Sequence, residues 1–128
     1  MAVLALYKGV RMSPRKVDVV AALVRGRMVT DAVTILDHTP RRAAQAVKQV
    51  VVSARANAEH NHNYKPATLF ISEISVTPGV RYKRYRAAAF GRTRRFTRGT
   101  SNIRVLVDGE QRVTKKTVSK AKPVETQE

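Results

Sequence analysis

Two short runs carry most of the chemistry this chain can do. Arg81-Tyr82-Lys83-Arg84-Tyr85-Arg86 and Arg92-Thr93-Arg94-Arg95-Phe96-Thr97-Arg98 interleave cations with aromatic rings. Guanidinium groups grip phosphate oxygens two at a time, and Tyr or Phe rings stack on bases and sugars, so the mixture suits a nucleic-acid strand. Between the runs lie Ala87-Ala88-Ala89-Phe90-Gly91, uncharged and mostly small. Nine of the 25 basic residues and none of the nine acidic ones fall between 81 and 104, in a 128-residue chain of formal net charge +16. That imbalance costs fold stability through self-repulsion, and a polyanionic partner explains it. A surface built only for solubility would mix the two signs.

A second device occurs twice. Ser13-Pro14-Arg15-Lys16 and Thr39-Pro40-Arg41-Arg42 each read as a hydroxyl N-cap, a proline and two cations at the start of a helix. Cations there oppose the helix dipole, whereas a phosphate would answer both the free backbone N–H groups and the cations. Further along, Arg41, Lys48 and Arg55 recur every seven residues, which keeps them on one helical face with a drift of about 20° per step.

Other chemistries find little support. There is no cysteine, so disulfides, thiolate metal sites and thiol nucleophiles are excluded. His60 and His62 are two residues apart with no further ligands nearby, which favours a polar loop over a metal site. Asp18, Asp31, Asp37, Glu59, Glu73 and Asp108 follow no catalytic spacing, and neither a glycine-rich phosphate loop nor a nucleophile elbow occurs. The expectation is a protein that is not an enzyme, with no cofactor, metal or small-molecule substrate. No apolar run approaches the roughly 18 residues of a membrane span. Met1 to Leu6 is too short for the apolar stretch of a signal peptide and has no basic residues before it. A cytoplasmic chain with no membrane partner is expected.

The elements that must position these groups can be read from periodicity. Val3 to Met12 is a short strand. Val17, Val20 and Val24 recur at helical spacing after Ser13-Pro14, and Gly26 closes that helix. Val29, Ala32, Val33 and Leu36 mark a second helix, ended by Thr39-Pro40. A third, from about Pro40 to Glu59, carries the apolar stripe Ala43, Ala46, Val47, Val50, Ala54 and Ala58. Asn57 and the stretch 61–66 end it in a loop. From Thr68 the period becomes two: Phe70, Ile74 and Val76 share a face, with Leu69 and Ile71 adding apolar surface. Ile103, Val105 and Val107 form a later strand. Residues 109–128 are polar, rich in Lys and Thr and lack periodicity, which predicts a flexible tail after a single domain over 1–108.

The two strands predict their own register. If Ile74 faces Val105 and Val76 faces Ile103, then Ser75 faces Arg104 and Thr77 faces Asn102, so one face is apolar and the other polar. A turn near Ala88 to Gly91 follows. Extended outward, this register sets Arg81 opposite Arg98 and Arg84 opposite Arg95, a destabilising arrangement. Cations would occupy both faces of an arm over about residues 80–100, reaching roughly 30 Å beyond the sheet. Such an arm cannot pack on a protein core, and structured RNA is the expected partner.

Several segments, in order from about Tyr7 to Val107, resemble the universal large-subunit ribosomal protein twenty-two family. They include Val10-Arg11-Met12-Ser13-Pro14-Arg15-Lys16-Val17, Leu23-Val24-Arg25-Gly26, Ala32, Ile35-Leu36, Thr39-Pro40, Ala43-Ala44 and the segment from Ser53 to Asn61. Lys83-Arg84, Gly91-Arg92 and Thr100-Ser101-Asn102-Ile103 match the family's hairpin. The resemblance implies an α+β fold, three helices packed on a small three-stranded antiparallel sheet with a long extended β-hairpin arm. It also implies a constituent of the large subunit of a bacterial or organellar ribosome that binds ribosomal RNA and supports assembly. Neighbouring large-subunit proteins would be further partners, and the hairpin tip would line the nascent-peptide exit tunnel, touching the nascent polypeptide. The chain departs from the family at Ala87-Ala88-Ala89-Phe90-Gly91-Arg92, where Pro-Arg-Ala-X-Gly-Arg is usual, and at Asn102, where His is common.

The expected RNA-binding residues are Arg11, Ser13, Arg15, Lys16, Arg25, Arg27, Arg41, Arg42, Lys48, Arg55, Asn57 and Asn61 on the globular part. On the arm and its base they are Arg81, Tyr82, Lys83, Arg84, Tyr85, Arg86, Arg92, Arg94, Arg95, Arg98, Thr100, Ser101 and Asn102, with Ala87 to Arg92 as the tunnel tip. The alternative is an architectural DNA-binding protein that uses the arm in a minor groove, with Phe90 as a wedge.

Overall fold

A computed structural model describes residues 2–112. The chain runs β1 (Val3–Val10), α1 (Pro14–Val24), α2 (Val29–His38), α3 (Arg42–His62), β2 (Phe70–Ala87) and β3 (Thr93–Asp108), with 3-10 turns at Pro66–Thr68 and Ala89–Gly91. The sheet is antiparallel in the order β1-β3-β2, so β3 is central. Three helices cover one face of it, which is the expected α+β architecture.

The core is aliphatic because the sequence supplies little else. Val17, Val20, Ala21 and Val24 of α1 are buried together with Val29, Ala32 and Leu36 of α2 and Ala43, Val47, Val51, Ala54 and Ala58 of α3. Val3, Ala5, Ile71, Ile74, Ile103, Val105 and Val107 close it from the sheet. Small side chains on α3 bring its backbone close to the strands. Gly26, at φ 74°, turns the chain out of α1 in the left-handed region that glycine tolerates without strain. The turn is then stitched to the start of β2, where Gly26 N–H donates to Ile71 O (3.2 Å), Ile71 N–H to Arg27 O (2.9 Å) and Val29 N–H to Leu69 O (3.0 Å).

Several local expectations change. Ser13 precedes α1 as expected, but its hydroxyl makes no cap bond; its carbonyl accepts from Lys16 N–H at 3.1 Å. Thr39 does not cap α3, because its hydroxyl donates back to Ile35 O at 2.7 Å and finishes α2. The N-cap of α3 is Arg41, so Pro40 lies outside the helix and the two Pro-basic segments are not equivalent. At its other end α3 continues through Asn61 to His62, and Asn63 stops it at φ 53°. Asn57 is therefore inside the helix. Tyr64, expected in a loop, turns inward and is buried.

The face assignment at the start of β2 also changes. Ile71 is buried and Phe70 is exposed, because the register slips between Ile71 and Glu73. One extra residue there lets Ile71 and Ile74, three apart, point to the same side. Residues 109–112 of the expected tail are hydrogen-bonded to the 63–68 segment: Lys65 N–H donates to Glu110 O (2.9 Å) and Arg112 N–H to Asn63 O (2.7 Å). The rest of that expected tail, 113–128, lies outside the described residues.

Candidate nucleic-acid interface

The hairpin begins as predicted and then departs. Ile74 pairs with Val105, Ser75 with Arg104, Val76 with Ile103 and Thr77 with Asn102. Between Pro78 and Arg81 a bulge shifts the register by one, so Tyr82 faces Arg98, Arg84 faces Phe96 and Tyr85 faces Arg95. The expected Arg81–Arg98 and Arg84–Arg95 oppositions are thereby avoided, and a single new one arises where Arg86 faces Arg94 instead of Thr93. The bulge thus removes two like-charge oppositions and creates one, and it sets aromatic rings against Arg84, Arg95 and Arg98.

The rings hold the cations. Arg84 lies over Tyr82 (5.7 Å from guanidinium carbon to ring centroid), Arg95 over Tyr85 (5.7 Å), and Arg86 and Arg98 both over Phe96 (5.5 and 5.6 Å). Each such contact at an exposed site contributes roughly 0.5–1 kcal/mol, enough to bias a long side chain without consuming its N–H donors. Tyr82 and Arg84 share one face of the arm with Phe96 and Arg98, while Arg81, Lys83, Tyr85 and Arg95 occupy the other. The arm residues are exposed, Phe96 and Gly99 only partly so. At the tip, Ala88 N–H donates to Arg92 O (2.8 Å). Phe90 adopts φ 58° and is 96% exposed, a left-handed backbone that a bulky residue rarely takes.

The base of the arm leans over two helix starts. Arg11, Lys16 and Arg42 converge with Arg84 and Arg98 around a cleft of about 740 Å³, also lined by Ser13, Tyr82 and Thr100. Among the described residues no carboxylate lines it. Five cations brought from distant parts of the chain to one concavity make a strongly positive field, focused by low-dielectric walls. Only the fold assembles this group.

The remaining predicted residues divide by environment. Arg15 and Arg41 are exposed at the starts of α1 and α3. Arg25 lies 3.7 Å from Asp18 and donates to Ile74 O at 3.2 Å, and Arg27 donates to Leu23 O at 3.0 Å. Lys48 is paired with Asp37, and Arg55 with Glu59 at 2.8 Å. Asn61 is exposed and Asn57 half-buried on α3.

At the arm's root, Thr100 and Asn102 make hydrogen bonds within the fold, and Ser101 lies buried between them without one for its hydroxyl among the described residues. Thr100 is buried and its hydroxyl donates to Val80 O at 2.8 Å, across the bulge. Ser101 is fully buried. Asn102 Oδ1 accepts from Gly9 N–H at 3.0 Å and holds the bulge in β1, where Gly9 has φ 77°. Sequence reasoning did not single out Tyr7, Gln45 or Gln49, which line a second depression next to the cleft. The available signal was spacing, since Gln45 and Gln49 follow Arg42 by three and seven on the same helical face.

Comparison with known proteins matches residues 5–108 to the family model described as ribosomal protein L22p/L17e. The chain belongs to that family. The match begins inside β1 and ends on the last residue of β3, so it includes the whole arm and both helix starts. Similar family members include the large ribosomal subunit protein uL22 of Oceanobacillus iheyensis, 47% identical over 103 residues, 80% of this chain and 91% of that protein. The uL22 of Herpetosiphon aurantiacus is 44% identical over 104 residues, covering 81% of this chain and 92% of its own length. That of Clostridium perfringens is 46% identical over 103 residues, 80% and 93% respectively. The chain is thus of the bacterial uL22 type, one of the two that the resemblance in its sequence left open.

Proposed function

We propose that this structural constituent of the large ribosomal subunit binds ribosomal RNA through the basic cleft and the arm, and supports subunit assembly by joining RNA segments on both. The tip, Ala87 to Arg92, lines the nascent-peptide tunnel. Family membership supports the subunit assignment. The observation that carries the RNA reading is the convergence of Arg11, Lys16, Arg42, Arg84 and Arg98 at the root of an arm that bears eight cations between 81 and 98. Cations on both faces of a two-stranded ribbon call for phosphate on both sides, which suits an arm threaded through folded RNA better than one laid in a single groove.

Salt dependence tests this reading directly. If six to ten phosphates are contacted, affinity falls by roughly 10³–10⁵ between about 50 and 200 mM salt, a range taken from duplex DNA. Removing residues 81–98 should flatten that slope sharply, and the shortened protein should wash off large subunits at high salt. An unchanged slope after arm removal would contradict the proposal.

A further inference from the structure

The basic cleft and the second depression, of about 400 Å³, share a wall: Arg11, Met12 and Arg42 line both. Beyond that wall the character changes from cationic to neutral. Tyr7 comes from the edge strand β1, and Gln45 and Gln49 come from the exposed side of α3, one turn apart. Among the described residues neither glutamine amide has a hydrogen-bond partner, and no carboxylate lines the depression. Gly9 shapes its rim through the β1 bulge, which Asn102 holds by the 3.0 Å bond to Gly9 N–H.

A primary amide offers a donor and an acceptor side by side, the pairing that reads the N6/N7 edge of adenine. A phenol ring supplies a stacking surface for the face of a base, available only to a base outside a helix. Two guanidinium groups at the shared wall suit the phosphate attached to that base. These three demands describe one ligand. We propose that the depression is a pocket for a single unpaired nucleotide, with adenine favoured, its phosphate held by Arg11 and Arg42 and its base against Tyr7, Gln45 and Gln49. The inference rests on the RNA-binding reading above and adds a sequence preference to it.

The test uses the full chain and three fluorescent RNA hairpins, identical except that one is fully paired, one carries a single bulged adenosine and one a single bulged uridine. Salt near 0.3 M (roughly) weakens general phosphate contacts. Wild type is expected to bind the bulged adenosine about fivefold or more tightly than either other hairpin, the lower end for one bidentate base contact. Gln45→Ala with Gln49→Ala should erase that preference and leave the paired hairpin's affinity within about twofold; Ala favours an exposed helical position, so the variant keeps its fold. Arg11→Ala with Arg42→Ala should weaken all three. Equal wild-type affinity for the three hairpins, or a preference that survives the glutamine changes, overturns the pocket while leaving RNA binding intact. Absence of salt-dependent binding to any hairpin overturns the RNA reading itself, and the pocket with it.

Discussion

Replacing Gly79 with alanine should loosen the root of the arm by a definable amount. A Cβ on Gly79 would sit 2.6 Å from Thr100 Oγ1 and 3.2 Å from Asn102 Oδ1. The first distance is impossible, and Thr100 is only 5% exposed, with little room to retreat. Its hydroxyl must leave the 2.8 Å bond to Val80 O, at a cost of about 0.5–1.5 kcal/mol for the hydrogen bond. Pushing a β-branched side chain off its rotamer adds about 0.5–1.5 kcal/mol. Together these give a loss of about 1–3 kcal/mol, and in a domain of this size each kcal/mol lowers Tm by roughly 3–6 °C. Thr100→Ala alone should cost about 1 kcal/mol, the lost bond. In Gly79→Ala/Thr100→Ala the obstructing hydroxyl is gone and only the 3.2 Å approach to Asn102 Oδ1 remains, so the pair should lie within about 0.5 kcal/mol of Thr100→Ala alone. Alanine's restriction of the unfolded chain, about 0.4–1 kcal/mol, offsets that remaining contact. Urea titrations of the four proteins complete the cycle. Additivity within about 0.5 kcal/mol would refute the steric argument, because residues in contact must couple.

Ile103→Ala should cost the domain about 2–5 kcal/mol, since Ile103 is fully buried on the central strand; a loss below about 1 kcal/mol in the same titrations would mean that this part of the core collapses around the gap. Arg15→Ala with Lys16→Ala should weaken RNA binding yet leave the free protein as stable, or more so by some tenths of a kcal/mol, because the two cations oppose the dipole of α1 (roughly 0.3–1 kcal/mol each). A clear fall in Tm would assign them a role within the fold instead. Exchanging residues 88–92 for Asn-Gly should leave Tm nearly unchanged and allow incorporation into large subunits, while altering nascent-chain stalling or the access of tunnel-binding small molecules. Ribosome profiles showing normal subunits with unaltered stalling and access would remove the tunnel role.

Periodicity alone located all three helices and both long strands, because each buries one continuous apolar stripe. The core register was legible for the same reason, since a one-residue slip would turn Ile74 and Val76 away from the face that buries Ile103 and Val105, and the observed pairs are Ile74 with Val105 and Val76 with Ile103. What periodicity does not encode is an inserted residue. Both slips in β2, at Ser72 and at Gly79-Val80, lie between segments that alternate correctly on their own, and so the identity of the facing residues beyond them was lost. Phe70 and Ile71 exchanged places for that reason. Thr39 was misread because a hydroxyl before a proline suits a helix start as well as a bond back into the preceding turn, and here Ile35 O takes it. The arm was legible as a unit of charge. The cleft was not, because Arg11, Lys16, Arg42, Arg84 and Arg98 are neighbours only after the sheet and helices have packed.

The bulge between Pro78 and Arg81 divides the hairpin into two segments with separate phases. Within the domain, facing residues are set by which side chains must be buried. Beyond the bulge, parity is set anew, and nothing in the core constrains it. An added or lost residue near Gly79 would therefore turn every ring and cation on the β2 side of the arm to the opposite face, out of step with those of β3, without moving a single core residue. Change in arm length is free only when both strands grow or shrink by the same number. A one-residue insertion in β2 alone, with the bulge kept, would set Arg81 against Arg98 and Arg84 against Arg95, two arginine pairs in place of the single Arg86–Arg94 pair. The domain and its arm are in this sense spelled in two reading frames, and the two residues between Pro78 and Arg81 keep them apart.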